Sequence, residues 1–256
     1  MPTPFMHMQL SEELRSLALS RQDLHGRLQN ALLETWPAFY LGGVAPDFQT
    51  ICGIPRSETH FYKMPPESRS AGQQNMLASF PQLSPGQSLD LDQAAFIAAY
   101  LVHLQLDLIW HFDVVLPYFA NSSIVGNLRK GYLLHVILLT YLDDLAVHSL
   151  PETVPEALAN ATYEHWLPFA EKDQLDAWRE FLLKQLAPGA TIRTVKIFAE
   201  RLRMTPDELT DKLNDRDWMN RELFSRIPVS KIQHQLTESI VECFDLVEAY
   251  WYGRFD

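Results

Sequence analysis

Residues 94–112 read AAFIAAYLVHLQLDLIWHF, and this stretch decides the fold. Almost every side chain in it is apolar, which predicts a helix surrounded by protein on all sides. A buried helix needs other helices or a sheet around it. Helical patterning dominates the rest of the chain, and we find no series of alternating β-branched runs separated by turn signals. We therefore predict an all-α fold, built as a multi-helix bundle.

The overall composition is that of a folded, acidic protein. The chain has 256 residues, of which 47% are hydrophobic and 21% are charged, and its formal net charge is -11. Such a chain lacks the basic face typical of proteins that bind a nucleic-acid backbone, so we expect no binding of that kind. A phosphoester substrate remains compatible with the charge, because bound metal cations can supply positive charge locally.

Signals for export or membrane insertion are not evident in the sequence. The two cysteines, Cys52 and Cys243, are far apart and indicate a reducing compartment rather than a disulfide framework. Residues 1–7, MPTPFMH, have neither a basic start nor a long apolar run of the kind found in signal peptides. The apolar run 94–109 is shorter than the ~20 residues of a membrane-spanning helix. We expect a cytoplasmic protein without a transmembrane segment; its oligomeric state stays open.

Caps and helix breakers predict where the main helices begin and end. The predicted helices cover residues 11–31, 90–112, 126–148 and 229–252, with a further helix starting after Thr205. Asp90 and Gln93 have the spacing of a capping box. Residues 64–90 are rich in Pro, Ser, Gly and Gln and predict a long loop, which is either a binding loop or a plain surface segment.

Three polar residues interrupt the buried helix on one side. His103, Asp107 and His111 are spaced i, i+4 and i+8, so at ~100° per residue they form one stripe. Burying a carboxylate there costs several kcal/mol unless it is paired or binds a metal. One histidine alone would be read as a hydrogen-bonded core residue. Three such groups on one stripe favour metal ligands, and imidazole with carboxylate points to zinc or a similar divalent ion.

Other polar residues add to the supply of ligands. Asp47 follows a Gly-Gly-Val-Ala-Pro turn, His60 follows soon after, His135 opens an apolar run, and His7 lies in an apolar N-terminal stretch. Each has an ordinary interpretation: Asp47 as a turn cap, His60 as a surface residue, His135 as a satisfied core group. Taken together, they are numerous enough for a site with more than one metal.

The ordered motifs resemble those of the zinc-dependent phospholipase C family, which is related to single-strand-specific nucleases. The resemblance rests on Gly43-Val44-Ala45-Pro46-Asp47, on Thr59-His60-Phe61, and on Ala99-Tyr100-Leu101-Val102-His103 running into Asp107 and His111. It covers about 5–148. It implies an all-α fold, a di- or trinuclear zinc site and hydrolysis of a phosphoester.

The resemblance also implies which residues hold zinc. One complete site is matched by four residues, Asp47, His60, His103 and Asp107. His111 and His135 match two ligands of a second site, and His7 matches the N-terminal histidine of a third, so we expect one to three zinc ions. Where the family carries a glutamate four residues after the equivalent of His135, this chain has Leu139, and Asp143 or Asp144 is the available substitute.

These residues predict a metal-dependent phosphoesterase that acts on a small phosphoester or a lipid headgroup. Asp47 is the candidate to orient or deprotonate the attacking water, and Asp107 to bridge metals. We expect Arg56, next to His60 in sequence, to be a solvated surface residue rather than a phosphate contact. The predicted organisation is a metal-binding helical core at 1–150, with C-terminal helices at 151–256 packed on the same domain.

Two alternatives remain at this point. The first is a non-catalytic helical protein with one closed structural metal site, favoured by Leu139. The second is an oxygen-binding or di-iron protein, disfavoured because paired Glu-x-x-His motifs are missing from the sequence.

Overall fold

A computed structural model describes residues 1–21, 26–187 and 194–254, and in these ranges the protein is helical without a strand. The all-α prediction is confirmed. The helices, in chain order, are α1 Pro4–Ser20, α2 Gly26–Glu34, α3 Trp36–Val44, α4 Gln49–Cys52, α5 Arg56–His60, α6 Ala71–Ser79, α7 Leu91–Ile109, α8 Ser122–Val125, α9 Leu128–Ser149, α10 Thr153–Asn160, α11 Lys172–Leu186, α12 Thr194–Leu202, α13 Pro206–Asn214, α14 Arg216–Trp218 and α15 Val229–Tyr252.

Helix α7 is the centre of the bundle. Every residue from Ala94 to Ile109 is buried, as its all-round apolar sequence predicts. Helices α3, α6 and α15 pack against it. The closest approach is at Gly42 of α3, where a Cβ atom would collide with the carbonyl group of Phe96. Because this position lacks a side chain, α3 lies directly on the backbone of α7.

The α7 helix continues beyond Ile109 as a π-helix, Trp110–Phe119. Pro117 lies inside this segment. A proline has no N–H to donate and its ring crowds the carbonyl four residues earlier, which favours a wider turn over regular α-helix. The wider turn begins just before His111, so this residue no longer follows the rotation of the α-helix that carries His103 and Asp107.

The start of the chain differs from the prediction. The single helix expected over 11–31 is replaced by α1, which begins at Pro4, and by a separate α2. Thr3 is the N-cap of α1, with its hydroxyl accepting a hydrogen bond from the Met6 N–H, and Pro4 occupies the first helical position. The same Thr-Pro signal correctly predicts the helix that starts after Thr205.

The remaining boundaries are mostly as predicted. Helices α9 and α15 match the expected ranges, and Thr205 forms a reciprocal capping box with Glu208 at the start of α13. Helix α7 does begin after Asp90, but the predicted capping box is wrong, since the Asp90 side chain accepts no hydrogen bond from the helix. The segment 64–90 is a loop interrupted by α6.

The length of the central helix bears on membrane insertion. Among the described residues, Leu91–Phe119 is long and apolar enough to cross a membrane, and a second candidate arises only if Leu128–Ser149 and Thr153–Asn160, bent by 92°, are taken as one span. Because the π-helix lengthens this apolar helix, its length no longer argues against a membrane span. However, 94% of the apolar window in Leu91–Phe119 is buried inside the protein, as in the core helix of a globular bundle.

The contact at Gly42 leads to a stability prediction. Gly42→Ala should lower the free energy of unfolding by about 2–3 kcal/mol, because the added methyl group meets backbone that cannot turn aside. Urea unfolding followed by circular dichroism measures this loss. Gly43→Ala is the matched control, since its Cβ would meet two side-chain atoms, the Ser11 hydroxyl at 3.1 Å and the Ala99 Cβ at 3.9 Å, and a clearly smaller loss is expected. Equal losses at the two positions would contradict the close contact.

Candidate metal centre

Five of the predicted ligands meet at one place in the bundle. His7 comes from α1, Asp47 from the 3₁₀ turn Ala45–Phe48, His60 from the end of α5, and His103 and Asp107 from α7. Four of them are almost completely buried, and the Asp47 side chain is 17% exposed. Four segments of the chain therefore converge on one cluster.

The spacing of the ligand atoms fits a metal ion. The Asp107 carboxylate lies 3.5 Å from His7 Nε2, 3.4 Å from His60 Nε2 and 3.9 Å from His103 Nε2. Asp47 Oδ1 is 3.6 Å from His60 Nε2. Ligand atoms bonded tetrahedrally to zinc at about 2.0–2.1 Å are about 3.4 Å apart, close to these separations.

In each of two overlapping groups of three ligands, all ligand atoms lie within 4.8 Å of one another. One group is His7, His103 and Asp107, and the other is Asp47, His60 and His103. His103 belongs to both, and its ring stacks on that of His7 with the centroids 3.7 Å apart. The two groups are thus parts of one centre.

Neighbouring groups fix which imidazole nitrogen faces the cluster. His103 Nδ1 is 2.9 Å from the Gly43 carbonyl oxygen, so Nδ1 is protonated and donates a hydrogen bond to that oxygen. His60 Nδ1 pairs with the Thr59 hydroxyl at 2.9 Å. The Nε2 atoms of His60 and His103 have no hydrogen-bond partner among the described residues, although both are buried. Buried polar atoms without partners are costly, and these are the atoms that the chemistry of zinc requires, so the residues fit this ion.

Asp107 also binds a cation of the protein itself. Its Oδ2 accepts a hydrogen bond from Arg56 Nη2, and the Tyr62 hydroxyl is 3.4 Å from the same oxygen. Burial by itself would raise the pKa of Asp107, but the Arg56 guanidinium, followed by His60 and His7, holds it well below its usual range. Asp107 is therefore ionised and ready to bind a metal at neutral pH.

Burial is the largest cause of the pKa shifts of three other ligands, Asp47, His60 and His103. Desolvation lowers the pKa of His60 and lowers that of His103 well below the ordinary value, so both imidazoles are neutral near pH 7. The pKa of Asp47 is raised by burial, with His60 opposing the shift. Neutral imidazoles are the form that binds zinc.

His111 and His135 do not join this cluster. Within the described ranges, neither belongs to a group of three ligand atoms within 4.8 Å. His135 Nε2 accepts a hydrogen bond of 2.8 Å from Trp110 Nε1, which can only donate, so this lone pair is engaged. His111 is buried on the widened π-turn. The stripe predicted from spacing is accordingly divided, with His103 and Asp107 in the centre and His111 outside it.

The position that would complete a site around His111 and His135 has no ligand. Leu139 is buried and lines the same cavity as both histidines. Asp143, one turn further along α9, is buried and its pKa is raised by burial to about 6, whereas Asp144 is exposed. Neither aspartate joins a ligand group in the described part of the chain, so neither takes the place of the missing glutamate as a ligand there.

A cavity of about 430 Å³ lies beside the metal-ligand cluster. Its polar wall includes Asp47, Arg56 and His111, and much of the remainder is apolar, with Leu139 and Phe198 among the lining residues. Asp47 is the cluster residue that faces this space. A substrate in the cavity would have its polar end next to the predicted metal ligands.

Arg56 and Tyr62 are the two site residues that sequence reasoning missed. Arg56 is not the solvated surface residue expected, because its side chain is only 27% exposed and it donates to both Asp107 and the Tyr62 hydroxyl. The signal available was its position four residues before His60, one helical turn away, which places both side chains on the same face of α5.

Comparison with known proteins agrees with the site. The model of the family described as zinc dependent phospholipase C matches residues 6–192, a range that contains every predicted metal ligand. Neither the curated proteins nor the solved structures gave a match. The matched range covers well over half of the chain and runs past residue 150, so the division at that residue stays a prediction. The protein belongs to the zinc-dependent phospholipase C family.

Proposed function

We propose that this protein is a zinc-dependent phosphoesterase that hydrolyses a phosphodiester or phospholipid-like substrate. The observation that carries the proposal is the convergence of five histidine and aspartate side chains, with unpartnered buried atoms, at the polar end of a cavity large enough for a small organic ligand. Membership of the family supports the same reaction class.

In this proposal zinc would be held by the two ligand groups that share His103, and Asp47 is the ligand residue that lines the cavity. A bound zinc ion supplies Lewis acidity and lowers the pKa of a coordinated water to about 7. Asp47 is placed to orient that water or to accept its proton, because its carboxylate both lies near His60 and lines the cavity. The raised pKa of Asp47, caused by burial, brings it closer to neutral pH and suits a proton acceptor.

The apolar part of the cavity suits the non-polar part of a substrate. Val115, Leu139 and Phe198 are among the apolar residues that line it. A lipid headgroup with a short length of its apolar chain, or an aromatic phosphodiester, matches this division between polar and apolar walls.

A second candidate is a non-catalytic protein with one structural metal. It is favoured by the number of protein ligands, since Asp47, His60, His103 and Asp107 alone would fill a tetrahedral zinc site, and by Leu139. The position of Asp47 at the cavity argues for the enzyme, because a structural site is closed to solvent on all sides.

Purified full-length protein should hydrolyse bis(p-nitrophenyl) phosphate or p-nitrophenylphosphorylcholine, should lose this activity on dialysis against a chelator, and should regain it with added zinc. The released nitrophenolate is measured together with the zinc content per chain. The monoester p-nitrophenyl phosphate tests whether diesters are preferred. If the protein holds one zinc tightly and cleaves none of the three compounds, the result would support the alternative of a structural metal site and would contradict the enzyme.

A further inference from the structure

The second metal position expected for the family is poor in ligands in this chain. Leu139 cannot ligate, and His135 has its Nε2 lone pair engaged by Trp110. What remains is His111, whose Nδ1 has no hydrogen-bond partner among the described residues. A zinc ion needs three or four protein ligands at such a position, so these residues do not fit one.

A cationic side chain of the protein lines the same cavity as these histidines. Arg56 lines the cavity together with His111, His135 and Leu139. Its guanidinium is fixed by two acceptors, Asp107 Oδ2 and the Tyr62 hydroxyl, and lies over the Tyr62 ring at 4.9 Å from the ring centroid. Arg56 thus contacts the metal-ligand cluster and lines the same cavity as the histidines that lack a third ligand.

The electrostatics of the region agree with this placement. Burial alone would lower the pKa of Arg56, but Asp107 raises it above its usual value, so the guanidinium is permanently charged. The pKa of His111 is lowered first by burial, then by the charge of the N-terminal amino group, and then by that of Arg56. The positive charge of Arg56 therefore acts on His111, in the part of the cavity where a second zinc would act.

We propose that Arg56 takes the place of a second metal cation, and that its guanidinium binds a non-bridging oxygen of the phosphoester while the His111–His135 position holds no zinc. This inference rests on the proposed function. Asp107 would then contact Arg56 on one side and would serve as a ligand of a bound zinc on the other. The bonds to Asp107 and Tyr62 both come from Nη2, so Nε and Nη1 remain to donate hydrogen bonds to phosphate oxygens, an arrangement of donors that the single ammonium group of a lysine does not reproduce.

Binding of inorganic phosphate to the zinc-loaded protein tests the proposal without any turnover. Isothermal titration calorimetry gives the affinity, and elemental analysis gives the zinc content, for the wild type and for Arg56→Gln, Arg56→Lys and Arg201→Gln. Arg201 is the matched control, because it lines the same cavity but is exposed and carries no hydrogen bond to the cluster in the described residues.

We expect Arg56→Gln to weaken phosphate binding by about 10–100-fold, the effect of losing one strong charge-assisted contact. Arg56→Lys should recover only part of this loss, and Arg201→Gln should bind phosphate as the wild type does. The zinc content should be the same in all four proteins.

A gain of ligand provides the complementary test. Leu139→Glu combined with Trp110→Phe should add one equivalent of zinc per chain, since the pair of changes supplies the missing carboxylate and frees His135 Nε2, which gives three ligands with His111. In the Arg56→Gln background, the same pair of changes should restore phosphate affinity. If this double variant fails to fold, the Arg56 and Arg201 variants decide the question alone.

Three results would overturn the inference. These are unchanged phosphate affinity in Arg56→Gln, an equal loss in Arg201→Gln, and loss of one zinc equivalent from the otherwise unchanged protein on His111→Gln. A protein that binds phosphate through Arg56 but hydrolyses no phosphoester would instead overturn the proposed function and leave this inference standing.

Discussion

Asp107→Asn should abolish hydrolysis. It should also weaken zinc binding by more than about 10–100-fold, the loss that is typical when a residue that only supports a ligand is removed. Asp107 approaches His7, His60 and His103 at 3.5, 3.4 and 3.9 Å, so the change removes a charged ligand from the middle of the cluster. Zinc affinity is measured by competition with a chromogenic chelator, and hydrolysis with a chromogenic phosphodiester.

The same substitution should cost the metal-free protein only about 2–3 kcal/mol of stability. Breaking a fully buried ion pair costs about 3–5 kcal/mol, but the Arg56 side chain is 27% exposed and an asparagine oxygen can still accept its hydrogen bond. The protein should thus remain folded, which separates loss of function from loss of structure. Urea unfolding in the presence of a chelator measures this value.

Asp113→Asn is the matched control for Asp107→Asn. Asp113 lies a few residues further along the same continuous helix and pairs with Arg69 through both oxygens, and the Arg69 and Asp113 side chains are 50% and 32% exposed. An exposed pair contributes at most about 1 kcal/mol, and no change in zinc affinity is expected. Normal zinc binding and hydrolysis in Asp107→Asn would show that this residue is not a ligand.

His103→Gln should remove zinc binding almost completely, whereas His7→Gln should leave at least one bound ion. The reason is that His103 belongs to both ligand groups, while the group of Asp47, His60 and His103 does not include His7. Glutamine can still donate a hydrogen bond towards the Gly43 carbonyl, so we expect the helix packing to be retained. Zinc content after dialysis, measured by elemental analysis, distinguishes the two variants.

His148→Gln is the control for the histidine variants, because His148 is exposed near the end of α9 and bonds only within its own helix turn. It should keep the zinc content of the wild type. Equal zinc losses in His7→Gln and His103→Gln would contradict the shared role of His103.

The fold was accessible from the sequence wherever a helix carries its own boundary signals. The apolar run 94–109 identified the central helix, and Thr205-Pro206 marked the start of α13. The start of α1 was missed although Thr3-Pro4 is the same signal, because the acidic pair after Ser11 looked like a first turn. Residues 71–79 lacked a clear apolar period, and α6 was therefore read as loop.

The candidate site was less accessible, because it depends on contacts between distant segments. Regular α-helical spacing placed His103 and Asp107 together correctly, since both lie within α7. The same rule does not extend to His111, because the backbone widens at Trp110, ahead of Pro117. No spacing rule shows that Trp110 occupies His135 or that Arg56 reaches Asp107 across 51 positions of sequence.

The convergence of four segments on one centre has a consequence for the unfolded chain. A bound ion would join α1, the neighbouring Ala45–Phe48 turn and α5, and α7, and long stretches of chain separate α1 and α7 from the middle pair. It would thus behave as a reversible cross-link, whose contribution grows with the length of chain it closes. Availability of zinc would then set the lifetime of the folded protein as well as its chemistry.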